Sequence, residues 1–233
     1  MTSLPFSAFR IQESIKFNPS VVQDLKDRVT KGEGATLEFK RKAANPEKIV
    51  REMVALANTT GGKLLIGVGD DGSIPGIKFP EDDSHVMQKA LKLVRPLLDV
   101  KETFILLAHN RTVVQYEIAE SLTKPHFIEM EDGSRHYFVR VDDKSIRASR
   151  EMKEIIKQKQ RSRNIKFNYG DHEKFLMKYL ESNQHITLKE FVSASGLKKF
   201  YASNKLIRLV LANVLRIVPN EKGDMFRLAF TKF

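Results

Sequence analysis

The segment from Gly32 to Gly76 constrains the fold more than any other part of this chain. It opens with Gly-Glu-Gly-Ala-Thr-Leu-Glu-Phe-Lys, in which Leu37 and Phe39 alternate with Thr36, Glu38 and Lys40. That period of two marks a strand over residues 35–40 with one face toward a core. Asn45-Pro46 reads as a helix start, and Ile49, Val50, Met53, Val54 and Ala57 form an apolar stripe at helical spacing. The Gly61-Gly62 pair stops that helix. Lys63–Val68 is an apolar run suited to a buried strand, and the turn Asp70-Asp71-Gly72-Ser73 predicts a partner strand near Ile74–Ile77.

Elements of both kinds continue on either side. Upstream, Asn18 is an N-cap candidate, Pro19 stands at the first helical position, and Val21, Val22, Leu25 and Val29 follow at helical spacing. Downstream, a helix is expected from Asp83 to Leu98. Two strands follow at Thr103–Ala108 and Thr112–Ala119, joined through His109-Asn110-Arg111. A last hairpin pairs Phe127–Met130 with His136–Val141 around Glu131-Asp132-Gly133-Ser134. Strands and helices mix without a βαβ rhythm, which predicts an α+β domain built on a mixed sheet.

The pattern changes after residue 150. Lys157–Lys166 reads as a basic linker, giving an α+β domain over 1–156 (core 30–150), a linker at 157–168 and a second domain at 169–233. In that second domain Phe175, Leu176, Tyr179 and Leu180 make one amphipathic helix. Thr187 and Glu190 form a capping box that opens a short second helix. Gly196 makes a turn, and a third helix spans Lys198 to Asn213. Strands at Val214–Val218 and Met225–Phe230 flank the Asn220–Asp224 turn. Three helices and a hairpin of this size make the outline of a winged helix-turn-helix.

Charge supports a polyanionic partner for this last third of the chain. Residues 1–150 carry 23 Lys/Arg against 21 Asp/Glu, while residues 151–233 carry 17 against 8, so most of the net charge of +11 lies late in the chain. Such an excess favours phosphate contacts with release of counterions, and hence DNA or RNA as partner. On the third helix Lys198, Lys199, Tyr201, Ser203, Asn204, Lys205 and Arg208 are expected to face solvent, with Leu206, Ile207, Val210 and Leu211 toward the core. Lys222 marks the wing tip, and Arg161, Arg163 and Lys166 would add backbone contacts. A winged helix used for protein contacts is the alternative that the same pattern allows.

Other classes are excluded or unsupported. Without cysteine there is no disulfide framework and no thiolate site. No run of about 18 apolar residues occurs, and the start lacks the apolar core of a secretory signal. A cytoplasmic protein without a membrane partner is the expectation. Gly61-Gly62-Lys63 is followed by leucine, so it is a helix stop rather than a phosphate loop. The six histidines form no metal-spaced pair on a helix, and His126 and His136 are expected on strands as ordinary polar or half-buried side chains.

Three carboxylates, Glu33, Glu38 and Asp70, stand on short elements that folding could bring together, with Lys40 on the strand face of Glu38. Oxygen ligands suit Mg²⁺ or Mn²⁺, which would activate water on a phosphodiester while a lysine offsets developing charge. The same residues also read as a solvated ion pair, a Gly-flanked turn and a hairpin turn. Both readings stay open at this level.

Taken in order, Glu33-x4-Glu38-Phe39-Lys40, Ala57-Asn58-Thr59-x-Gly61-Gly62, Ile66-Gly67-Val68-x-Asp70, Gly76, Lys124-Pro125-His126 and Tyr137-x-Val139-Arg140-Val141 with Ser145 and Ala148 resemble the Schlafen AlbA_2 domain, also called divergent AAA-4. The resemblance implies nucleic-acid binding, often in transcriptional regulators that carry a winged-helix tail. In some relatives it implies a divalent-metal-dependent endoribonuclease, whose three acidic residues match Glu33, Glu38 and Asp70. The RNA-cutting members resemble two such lobes joined into a clamp, whereas this chain has one, so a homodimer would be needed to rebuild it. The expectation is therefore a DNA-binding transcriptional regulator acting through its winged helix. The alternative is an endoribonuclease using Mg²⁺ or Mn²⁺ on Glu33, Glu38 and Asp70 with Lys40.

Overall fold

The computed structural model describes residues 9–11, 17–161 and 169–230. Its contacts separate the chain into two units, residues 1–145 and 146–233. The division falls inside a strand rather than at the basic stretch, and Lys157 to Lys159 form the end of a helix. Residues 162–168, with Arg163 and Lys166, lie outside the described residues.

The first unit runs β1 (Phe9–Ile11), α1 (Pro19–Thr30), β2 (Leu37–Lys40), α2 (Pro46–Asn58), β3 (Gly62–Ile66), α3 (Pro80–Leu91), β4 (Val94–Arg95), β5 (Val100–Leu106), β6 (Thr112–Ile118), β7 (Phe127–Glu129), β8 (Arg135–His136) and β9 (Phe138–Val141), and ends within β10 (Lys144–Arg147). The main sheet has the order β1-β5-β6-β3-β2. Its β2–β3 and β1–β5 pairs are parallel and the two inner pairs antiparallel. It is an α+β unit on a mixed sheet.

Alternation along β2 sorts its side chains between two layers. Phe39 joins Leu25 and Val29 of α1, with Leu65 and Val113, on one face of the sheet. Glu38, in register with Leu64, points to the other face, where Ile49, Met53 and Leu56 of α2 pack on Leu64, Val114 and Tyr116. Both helices start as their sequences dictate. Asn18 caps α1 by accepting from the Ser20 amide at 3.0 Å, and Asn45 caps α2 through the Lys48 amide at 3.4 Å. Met53 and Leu56 are fully buried, so truncating either to alanine costs about 2–5 kcal/mol.

The glycine pair after α2 is there for space as well as for stopping the helix. Gly61 has φ +74°, and a Cβ on it would lie 2.6 Å from the Glu120 amide nitrogen. One on Gly62 would lie 2.5 Å from the Thr36 carbonyl oxygen. Neither position admits a side chain without moving backbone.

Three expectations about strands and helices are corrected. Residues 74–77 form no strand; only Ile77 bridges to Thr112, because the turn from Gly69 to Ser73 closes on itself and Gly76 returns to Gly67. The helix expected at Asp83–Leu98 begins earlier, at Pro80, and ends at Leu91, before β4. The expected 136–141 strand is split at Tyr137: β8 pairs with β7, and β9 pairs with β10.

The second unit runs α4 (Arg150–Lys159), α5 (Asp171–Ser182), β11 (Ile186–Thr187), α6 (Leu188–Ser195), α7 (Lys199–Leu211), β12 (Leu215–Val218) and β13 (Met225–Leu228). Leu176, Leu180, Phe191, Leu206, Leu215 and Phe226 meet in its core. A small antiparallel sheet, β11-β13-β12, closes one side. Thr187 and Glu190 make the capping box read from the sequence, and Gly196, at φ +68°, ends α6. Among the described residues no helix is long and apolar enough to cross a membrane.

Candidate functional site

Two places bring the sequence-derived residues together. In the first unit, Glu33 lies half-buried in the turn before β2, and its Oε1 accepts from the Phe39 amide at 2.7 Å. Burial raises its pKa above the ordinary 4.5, against that amide bond; the Glu38 and Asp70 charges raise it further, and Lys40 lowers it. Glu33, Glu38, Lys40 and Asp70 therefore share one electrostatic neighbourhood.

They do not share one coordination shell. Glu38 is buried and paired on both oxygens: Oε1 takes the Lys40 ammonium, and Oε2 takes Arg140 Nη2 at 2.6 Å. Asp70 is exposed in the turn after β3, on the rim of a shallow cleft of about 520 Å³ lined by Lys26, Thr30, Gly32, Phe39 and Ile74. Among the described residues no three acidic or histidine side chains converge enough to hold a metal ion. With two cations on Glu38, the arrangement does not fit a resident Mg²⁺ or Mn²⁺.

Arg140 is the hub of this region. Its side chain is fully buried, donating to the Gly34 carbonyl at 2.9 Å, to Glu38, to Glu52 at 3.0 Å and to Ser145 at 3.3 Å. Ser145 in turn donates to Glu52. Sequence reasoning missed Glu52; the available signal was a carboxylate three residues after Ile49, inside the apolar stripe of α2.

Asn58 makes a second buried clamp. Its amide donates to the carbonyls of His126 and Phe138, both at 2.9 Å, and accepts from the His126 amide at 2.7 Å. His126 is buried too, just before β7, with Nδ1 at 2.7 Å from the Pro96 carbonyl and Nε2 at 2.6 Å from Ser121 Oγ. The carbonyl can only accept, so Nδ1 carries the proton and Nε2 accepts from the serine. His136, expected on a strand, is half-buried on β8 with Nε2 at 3.2 Å from Ser134 Oγ.

These motif residues and their order decide the family. A family model for Schlafen AlbA_2 matches residues 33–149, half of the chain. The chain belongs to the Schlafen AlbA_2 family. This membership points to a nucleic-acid-binding role. No curated protein matches the chain. Among solved structures, the DIP2311 protein from Corynebacterium diphtheriae is similar over 88% of this chain at 17% identity, with a TM-score of 0.42. The alignment takes in 38% of that longer chain. Within residues 33–149, Glu38, Asn58 and Arg140 tie β2, α2 and β9 together, while Gly61 and Gly62 allow close approach to residues 118–120 and to Thr36.

The second place is helix α7. Lys198, Lys199, Tyr201 and Arg208 are exposed, and Asn204 is half-exposed. Tyr201, Asn204, Lys205 and Arg208 stand at spacings of three and four, on one face. Phe200, which the sequence reading did not single out, is 57% exposed, stands edge-on to Tyr201 and lies under the Arg150 guanidinium. Two expected contacts change. Ser203 is fully buried, donating to Glu151 and accepting from Arg150, because position 203 falls on the inward face with Ala202, Leu206 and Ile207. Lys205 is half-buried and paired with Glu173 at 2.6 Å. Lys222 is exposed at the β12–β13 turn, which Asn220 closes by accepting the Lys222 amide at 2.9 Å.

Proposed function

We propose that this protein binds DNA as a transcriptional regulator, and that residues 169–230 act as a winged helix-turn-helix. The carrying observation is the exposed face of α7, where Tyr201, Asn204 and Arg208 align behind Lys198 and Lys199 at the helix start. The order helix, short strand, helix, helix, hairpin supports the assignment, with α7 as the helix for the major groove and Lys222 at the wing. Arginine, asparagine and tyrosine provide base-edge and phosphate chemistry, and lysines provide phosphate contacts. Lys205 is left out of the contact set because Glu173 already neutralises it.

A second reading, cleavage of RNA by the first unit as a metal-dependent endoribonuclease, draws on one observation: the Glu33 carboxylate accepts from the Phe39 amide, the residue between Glu38 and Lys40. It requires Glu38 to leave Arg140 and Lys40 for a cation. One experiment separates the two. The purified chain is incubated with labelled duplex DNA and with structured RNA, in Mn²⁺ or in EDTA, beside Glu38→Ala and Arg208→Ala. Retarded but intact DNA, released in Arg208→Ala and indifferent to EDTA, is the expected result. Metal-dependent RNA cleavage abolished by Glu38→Ala would replace the regulator with the nuclease.

A further inference from the structure

We propose that helix α3 carries a self-association surface whose occupant is a second copy of this chain. Helix α3 turns Ser84, Met87, Ala90 and Leu91 inward and leaves Phe79, Val86 and Leu93 at 61%, 38% and 43% exposure. These three residues are seven apart. Phe79 is the N-cap, and Lys92, at φ −65° and ψ −15°, carries the helical path on toward Leu93. A helix drifts only about 20° per seven residues, so Val86 and Leu93 share one face; Phe79, at φ −124° and ψ 75°, stands at the head of the helix with the Lys78 ammonium 5.2 Å from its ring centroid. Between them, at spacings of three and four, stand exposed Asp82 and Lys89. The face reads apolar, acid, apolar, base, apolar.

That order complements its own reversal. Laid antiparallel about a two-fold axis at Val86, the helix sets Phe79 against the partner's Leu93 and Val86 against the partner's Val86. Asp82 then meets the partner's Lys89, and Lys89 meets the partner's Asp82. Such mutual matching is what an isologous interface requires. A parallel pair would instead put like charges side by side. The acidic first turn of α3, Glu81 to Asp83, and Lys89 in its last turn favour the same orientation, as do the opposed helix dipoles. The three-four spacing of the face is that of a left-handed helix seam. Regularly spaced large apolar side chains on an otherwise charged helix mark a contact surface better than scattered exposure does.

Sedimentation of the full chain over a range of concentrations tests this. The expected result is a dimer of twice the 26.7 kDa chain mass. Val86→Glu raises the dimer dissociation constant roughly a hundredfold, since it brings two unpaired charges together on the axis. Lys89→Asp weakens association by roughly tenfold, and adding Asp82→Lys to it restores the dimer, because only the sign of each pair is exchanged. All these positions are exposed, so far-ultraviolet dichroism should stay unchanged in every variant. A wild-type chain that sediments as a monomer throughout overturns the proposal. A dimer indifferent to Val86→Glu overturns it equally, and places the interface elsewhere.

Discussion

At the scale of single residues, the first unit is held by buried polar groups whose loss leaves a partner stranded. Arg140 satisfies Glu38, Glu52 and the Gly34 carbonyl at once. Arg140→Ala should therefore destabilise the fold by about 3–5 kcal/mol, the cost of uncompensated buried charge. Arg140→Lys should rescue little, because an ammonium cannot reproduce the planar fork. Urea unfolding of both variants measures the difference. His126 offers a pH test. Burial holds its pKa below the ordinary 6.5, with Lys124 adding to the effect and the Pro96 carbonyl opposing it. The unfolded chain then binds a proton that the folded one refuses, so this stability is complete above pH 6.5 and declines as pH falls through that value. Urea midpoints against pH should show that slope in the wild type. The slope should flatten in His126→Gln, which is less stable at neutral pH but carries no titrating ring.

At the scale of elements, α1, α2 and α6 were legible because their signals are local: Asn18, Asn45 and Thr187 each cap the helix they precede, whereas α3 has no side-chain cap and its bounds were misread. The strand face of Glu38 was legible for the same reason. What stayed hidden was long-range. Nothing near Glu38 in the sequence announces Arg140, 102 positions later, so a carboxylate open to a cation and one already neutralised look alike. The split at Tyr137 was equally hidden, since alternation does not say which neighbour a strand will choose. Helix α7 carries the corresponding lesson for Lys205. Burial tends to raise the Glu173 pKa, but the Lys205 hydrogen bond and the amides of its own helix start outweigh it and hold the pKa below 4.5. That contribution is present above pH 4.5 and is lost as pH falls through the lower folded value. Lys205→Ala should accordingly cost about 1–3 kcal/mol of stability by stranding Glu173. It should change DNA affinity far less than Lys199→Ala does, as paired melting and gel-shift titrations would reveal.

At the scale of the whole molecule, charge divides the two units more sharply than any single contact. Residues 1–145 hold 21 Lys/Arg and 21 Asp/Glu, whereas residues 146–233 hold 19 against 8, so the second unit carries the entire net charge of +11. An electrically balanced AlbA_2 domain beside a strongly basic unit predicts that phosphate neutralisation belongs to the latter. Affinity for duplex DNA should fall linearly with salt on logarithmic axes, with a slope set by the phosphates neutralised. Lys198→Ala with Lys199→Ala should reduce that slope by about two, one for each phosphate contact removed. Arg41→Ala with Lys42→Ala, an equal charge loss from the first unit, should leave it unchanged. Equal reductions from both pairs would mean that the AlbA_2 domain touches the backbone as well, and would move the nucleic-acid interface off α7 alone.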